Sequence, residues 1–550
     1  MADKHLITRT LVQHFFRRFF DNDTIQSDGD TLTTVVRAIS VVAVPGLMIA
    51  FFLQNQYPQR PLWGAIEDQY FFVLFSFVVM GAVSIFEWEM LFPDRLDFLV
   101  LIPLSLKPLQ LLGAKAAALF GFLALFLVGC NLFGAILLPA ISHGDFFRQV
   151  LAHSVAVLMA GIFAALLVLA LGGLLLCLLD AATFRLVSPI LQMLAVMALA
   201  LLLLHYAKYG DTMQPLLSAP LGNARWIPTL WFLGIYEQIL RGAAAPPFAR
   251  EMASYAVRAT SIAAVAVLLT YPVAWTRMRK MAMEGSSRRR RQPLASLARL
   301  LHCLIRRPGE RAIFHFISQT IARNNRYQVY LAIYCGTGLA LAVACAVTFR
   351  VKGSTLYPAL SAMGLHAVMP LLLFWVIAGL RAAFAFPVNL RAGWIFPLTG
   401  VAINQCADAA RKWVFFCAAG IMAAILAALR LAHWDLRHLL VQAVCGLCLS
   451  FLLTDGFFFL KQSVPFNRPR MPGRTSLPLM LTLYIGVLTP FIYGVIYMES
   501  HLEKHLGKLL LLGLITLAIH VTMVLLRSGF AEIEEELEGY EGEFQLLGLS

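Results

Sequence analysis

The sequence predicts an all-α polytopic membrane protein: about twelve transmembrane helices in two parallel six-helix repeats, with the N- and C-termini cytoplasmic. Three observations predict it. Sixty per cent of the 550 residues are hydrophobic and only 13% are charged, too little polar surface to cover a water-soluble particle of this size. Apolar runs long enough to cross a bilayer recur along the chain. A Phe-Pro…Pro-Leu motif recurs at the same place in each half. The composition also excludes disordered, fibrous and disulfide-scaffold classes.

The spans read as helices, because an isolated lipid-exposed strand leaves its backbone polar groups unsatisfied. They fall at 35–53, 70–86, 116–138, 150–179, 186–206, 256–275, 330–347, 365–386, 414–431, 439–460, 477–498 and 506–526. Few of them read as interrupted by Gly or Pro. Lys and Arg concentrate on the segments this count places inside, even when the basic block at mid-chain is set aside. That block runs from Arg277 to Arg326 and is opposed only by Glu284 and Glu310. No cleavable signal peptide is read, since a polar stretch precedes the first apolar run.

Five regions follow: an N-terminal amphipathic segment (1–34), a first six-span half (35–277), a basic linker with a second amphipathic helix (278–327), a second six-span half (328–527) and an acidic tail (528–550). Leu6, Ile7, Leu11, Phe15, Phe16 and Phe19 lie near helical spacing before the first span. Ile313, Phe316, Ile317 and Ile321 do so before the seventh. Each reads as a helix in the cytoplasmic interface. Arg288 to Arg291 repel one another and are expected to meet solvent or anionic membrane lipid. No aromatics interleave with them, so no nucleic-acid partner is expected. Glu532, Glu534, Glu535, Glu536, Glu538, Glu541 and Glu543 form an acidic tail that reads as solvated, with docking onto the basic linker or a partner protein as the sharper alternative. The outer loop 207–253 reads as carrying a short amphipathic piece with interfacial aromatics Trp226, Trp231, Phe232 and Tyr236, with a lid over a pathway as the sharper alternative.

After the second span of each half stand FPDRLDFLVLIPLSL (92–106) and FPVNLRAGWIFPLTG (386–400). Pro93 and Pro103 match Pro387 and Pro397, and Leu96 matches Leu390, all at one offset. A basic helix end follows each: Lys115 in one, Arg411 and Lys412 in the other. Both halves start inside and hold six spans, so the repeat is parallel, about an axis along the membrane normal.

Little enzymatic chemistry is legible. There is no GxxxxGK[ST], GxSxG or HExxH. His501 and His505 stand four apart without a third metal ligand. Cys445 and Cys448 form a CxxC within an apolar run and read as small core residues. No metal site is expected. Ionisable residues near lipid depth are costly and therefore candidates: Glu87, Glu89, Arg381, Arg430 and Asp455.

The segment from Glu87 to Lys115, with its Phe-Pro-Asp-Arg-Leu-Asp, Ile-Pro-Leu-Ser and Leu-Gly-Ala-Lys, resembles the region after the second span in permeases of type-2 ABC exporters. The resemblance implies an N-terminal connecting helix and a cytoplasmic elbow that carries ATPase movement into the helices. It places Arg95, Asp97, Pro103, Leu104 and Lys115 in the coupling elbow of the first half, and Arg391, Trp394, Pro397, Leu398 and Arg411 in that of the second. The second copy lacks the Asp-Arg and Ala-Lys features, and both halves are fused in one chain.

The function so implied is a permease subunit of an ABC exporter. It is not itself an enzyme, it has no nucleotide-binding domain and binds no cofactor, and ATP is carried by a separate ATPase partner in two copies. The implied location is the bacterial cytoplasmic (inner) membrane. The alternatives are an ion-coupled secondary transporter with a six-plus-six repeat, for which Asp455 is the fair candidate, and a membrane scaffold or an enzyme acting on lipid.

Overall fold

The computed structural model describes residues 2–20, 31–57, 59–88, 90–92, 97, 100–101, 104, 106–142, 144–209, 213–218, 221–284, 305, 307–352, 355–384, 403–459, 465–466 and 477–544. The chain is an all-α polytopic membrane protein. Among the described residues ten helices are long and apolar enough to cross a membrane. It divides into two compact units: Met1–Arg288 with Thr348–Ala359, and Arg289–Val347 with Leu360–Ser550.

The helices of the first unit are α1 (Ala2–Phe20), α2 (Thr31–Gln54), α3 (Leu62–Phe86), α4 (Pro108–Ile141), α5 (Phe146–Leu178), α6 (Ala181–Tyr209), α7 (Pro228–Arg241) and α8 (Pro247–Glu284). Their starts are legible. Proline stands at the first position of α4 and α7, where its missing N–H costs nothing. The Asp145 side chain caps α5 by accepting from the Phe147 N–H. α3 and α5 form the centre. α3 packs on α4, α5, α6 and α7, while α5 packs on α4, α7 and α8; α1 and α2 lie against α4.

In the second unit the helices are α9 (Pro308–Arg323), α10 (Asn325–Ala346), α11 (Ala362–Phe384), α12 (Ile403–Leu431), α13 (Leu436–Phe457), α14 (Leu477–Lys504) and α15 (Lys508–Phe544). α11 packs on α10, α12, α13 and α14, α13 packs on α12, α14 and α15, and α9 lies against α12. Small residues let the helices of the tightest pair approach: a Cβ at Gly338 of α10 would meet the Trp375 side chain of α11, and one at Gly379 of α11 would meet Tyr334 of α10.

Several expectations are amended. Proline sits inside α2, α4, α6, α8, α11 and α14, and each helix runs on through it. A β-hairpin, β1 (Val347–Lys352) and β2 (Thr355–Leu360), stands where only a loop was expected. The aromatics of α7 are not a surface belt: Phe232 and Tyr236 are fully buried, and only Trp226 before the helix is exposed. α15 continues past the last span to Phe544, so most of the acidic tail is helical.

Candidate functional site

Phe92, the first residue of the Phe-Pro motif, is buried just after α3. A Cβ at Gly172 would come within 3.0 Å of its ring, and it packs on Tyr271, centroids 5.3 Å apart. The Tyr271 hydroxyl donates to the Leu91 carbonyl at 3.1 Å.

Five residues beyond Phe92, Asp97 is buried between two cations. It pairs with Arg18 of α1, and its second oxygen lies 3.8 Å from Lys115 Nζ of α4. Lys115 is only 1% exposed. Its ammonium also lies 5.0 Å from the Phe15 ring centroid and 5.3 Å from that of Phe19. The apolar stripe Leu11, Phe15 and Phe19 of α1 is buried, and Phe19 stacks on Phe122 of α4 at 4.7 Å. An apolar stripe, two cation–π contacts and an ion triad therefore tie Asp97, α1 and α4 together.

The second unit builds a related join. Ile313 and Ile317 of α9 are buried, Phe314 meets Trp413 and Phe416 of α12, and Trp413 Nε1 donates to Ser318 Oγ at 2.8 Å. Buried Glu310 at the start of α9 pairs with Lys412 of α12. Arg411 pairs with Asp408 at 3.0 Å and donates to the Phe458 carbonyl at the end of α13 at 3.2 Å.

Deeper in this unit, Asp455 of α13 takes two partners from α15. Its Oδ2 is 2.5 Å from His520 Nδ1, and its Oδ1 accepts from Arg527 at 2.9 Å. A cavity of about 480 Å³ opens beside them, lined by Arg411, Thr454, Asp455, His520 and Arg527 among others.

Of the expected site residues, Asp97 and Lys115 are brought together, Leu104 is exposed, and Arg411 and Asp455 line one cavity. Glu87 is buried at the end of α3. Arg381 lies 5.6 Å from the Phe457 ring, and Arg430 is exposed at the end of α12. Glu89, Arg95, Pro103, Arg391, Trp394, Pro397 and Leu398 lie outside the described residues. Sequence reasoning passed over Arg18, Glu310 and Arg527 as partners. Each is a charge beside an apolar stripe or at the end of a span, the place to look for the partner of a buried acid or amine.

One further acid is buried in α7. Glu237 is fully buried, with Arg241 Nε 2.7 Å away. Burial raises its carboxyl from 4.5 to about 7, against the opposing pull of Arg241. A raised carboxylate pKa means that stability is full below about pH 4.5 and is lost as pH rises through 7. Glu237→Gln, a mimic of the neutral acid, is therefore expected to be nearly neutral at pH 5. At pH 8 it should stabilise by roughly 3 kcal/mol, read as a Tm difference in detergent at the two pH values.

No family model, curated protein or solved structure matches the chain. Among the described residues, no group of three or more His, Cys, Asp or Glu is arranged to hold a metal ion.

Proposed function

We propose that the chain is the permease subunit of an ABC exporter in the bacterial inner membrane, moving its substrate with energy from a separate ATPase. The observation that carries this reading is the join of amphipathic helix, elbow and third-span helix through Arg18, Asp97 and Lys115. A motor that pushes on an elbow moves helices only if elbow and helices are mechanically continuous. A buried ion triad within an aromatic socket supplies that continuity. The exposed Leu104 on the same elbow is available for docking.

The twelve-span, two-repeat arrangement is part of the proposal. It is supported by helix pairings that recur between units: α3 with α4, α5 and α6 corresponds to α11 with α12, α13 and α14. Likewise α4 with α5 and α5 with α8 correspond to α12 with α13 and α13 with α15, and α1 with α4 to α9 with α12. The helix of the first span breaks the correspondence, because α2 packs on α4 while α10 packs on α11.

Purification of the full chain from its native membrane in mild detergent is expected to bring down an ATPase. Leu104→Asp, a surface change, should reduce that recovery at least tenfold while leaving Tm unchanged. Recovery of no ATPase with the unaltered chain overturns the reading. The ion-coupled alternative is favoured by one specific observation, the Asp455–His520 pair beside a cavity.

A further inference from the structure

A second polar cluster occupies the other end of the second unit's helices, where the start of α11, the start of α13 and the end of α14 meet. Gln442 Nε2 of α13 donates to Glu499 Oε2 of α14 at 2.6 Å and lies 3.2 Å from His366 Nδ1 of α11. His366 faces a carboxylate with each ring nitrogen: Nδ1 is 3.3 Å from Glu499 Oε2, and Nε2 is 3.8 Å from Glu503 Oε1. Glu503 Oε2 in turn lies 3.7 Å from His438 Nε2. Side-chain exposure rises along this chain, from 0% at Glu499 through 15% at His366 and 20% at Glu503 to 41% at His438.

Acceptors outnumber donors here. Among the described residues, the buried oxygens Gln442 Oε1, Glu499 Oε1 and Glu503 Oε1 have no hydrogen-bond partner. A neutral imidazole has one N–H, so His366 cannot satisfy both carboxylates it faces, and ionised carboxylates only accept. The surrounding cations do not fill the gap. Arg437 reaches the Glu503 backbone carbonyl rather than its carboxylate. Lys508 Nζ is bound to exposed His501, whose ring meets exposed His505, and Lys504 and Arg430 are exposed. The Cys445 thiol of α13 is a further titratable neighbour of Glu499 and Glu503, and Asp435 caps α13. Two acids, one of them completely buried, thus face one imidazole.

We propose that this cluster is a proton-binding site, in which His366 and Glu499 share a proton that enters through His438 and Glu503. A proton arriving on His438 Nε2 passes to Glu503 Oε2. The Glu503 carboxyl then turns over so that the same proton faces His366 Nε2 and passes to it, as His366 Nδ1 gives its own to Glu499 Oε2. The cluster gains one positive charge and no electrons move. A bridging water or a small side-chain rotation closes the 3.7 and 3.8 Å steps. A metal fits less well, because both ring nitrogens of His366 are turned to carboxylates and no third ligand converges with them. This inference rests on the second unit alone and does not need an ATPase partner.

Trp434 is a reporter placed by the fold. Its ring lies 5.4 Å from that of His366 and 5.7 Å from that of His438, and a protonated imidazole quenches indole emission. The full chain in detergent, titrated through about pH 5 to 8 where histidine switches, is expected to lose tryptophan emission as pH falls. Trp434→Phe should remove that change. Glu499→Gln deletes the anion that holds the proton, so the midpoint should move down by at least one pH unit, a tenfold loss of proton affinity. Glu503→Gln, at a more exposed position, should move it in the same direction by less and serves should Glu499→Gln not fold. His366→Gln should remove most of the amplitude. An unchanged midpoint in both glutamine variants overturns the proposal. So does emission that responds to added sodium at fixed pH but not to pH.

Discussion

Asp97→Ala is expected to destabilise the first unit by about 3–5 kcal/mol, the cost of leaving a buried charge without its partner. The charge in question is Lys115, which is almost fully buried and has Asp97 and two phenylalanine rings around its ammonium. Removing Lys115 instead should cost less, because Asp97 keeps the partly exposed Arg18. Arg18→Ala should cost least, about 1 kcal/mol, since a guanidinium partly in water gives up less on losing its partner. Replacing both charges, Asp97→Asn with Lys115→Met, removes the unpaired ion and should recover most of the loss. The double-mutant cycle, read as Tm in detergent, isolates the pair. That double variant also separates structure from coupling: it should fold, yet transport should fall if the triad is what stiffens the elbow. In the second unit Lys412→Ala should cost less than Asp97→Ala, because Lys412 is half exposed and Glu310 retains Arg307 at 3.5 Å. Such a result would make the Asp97–Lys115 and Glu310–Lys412 joins unequal in strength.

The sequence makes legible what hydropathy and spacing govern. Each predicted span falls on a helix, and the stripe Leu11, Phe15, Phe19 is the face that α1 buries. Two of the twelve expected spans, those on α2 and α14, are not among the ten helices that qualify among the described residues. What the sequence hides is partnership across distance. Asp455 stands out as an acid within a span, but its partners lie 65 and 72 residues away on a helix whose apolar run gives no hint of orientation. The proton cluster is hidden by a boundary. Reading the eleventh span as ending at 498 leaves Glu499 in a loop, whereas α14 runs on to Lys504 and carries Glu499 into the interior. Burial likewise separates α7 from the interfacial belt its composition resembles: Thr229 and Tyr70 hydrogen bond at 2.8 Å beneath it, and a Cβ at Gly234 would meet the Ala249 and Ala253 backbone of α8. The hairpin has an ordinary signal, alternating Val347, Phe349 and Val351 followed by Gly353-Ser354, which an apolar-run reading absorbs into the loop beyond a span.

Asp455→Ala should cost about 3–5 kcal/mol in the second unit, because it takes from buried Arg527 the carboxylate with which it pairs. Both side chains are nearly inaccessible, and they tie α13 to α15 at 2.9 Å. His520→Gln should cost much less, since that ring is about one-third exposed and Arg527 still holds the carboxylate. The informative variant is Asp455→Leu with Arg527→Met, which exchanges the pair for apolar side chains and should restore most of the Tm. If the pair only fixes α13 against α15, transport by this variant should return along with stability. If Asp455 is instead the coupling acid of an ion-driven transporter, the double variant should fold and still fail, and Asp455→Asn should fail with it. Transport that is restored in the double variant and lost on removing the ATPase would place the driving force in the motor. Transport that is lost in the double variant and indifferent to ATP would place it in Asp455. The same experiment thus decides between the two mechanisms, using a residue whose geometry alone is compatible with either.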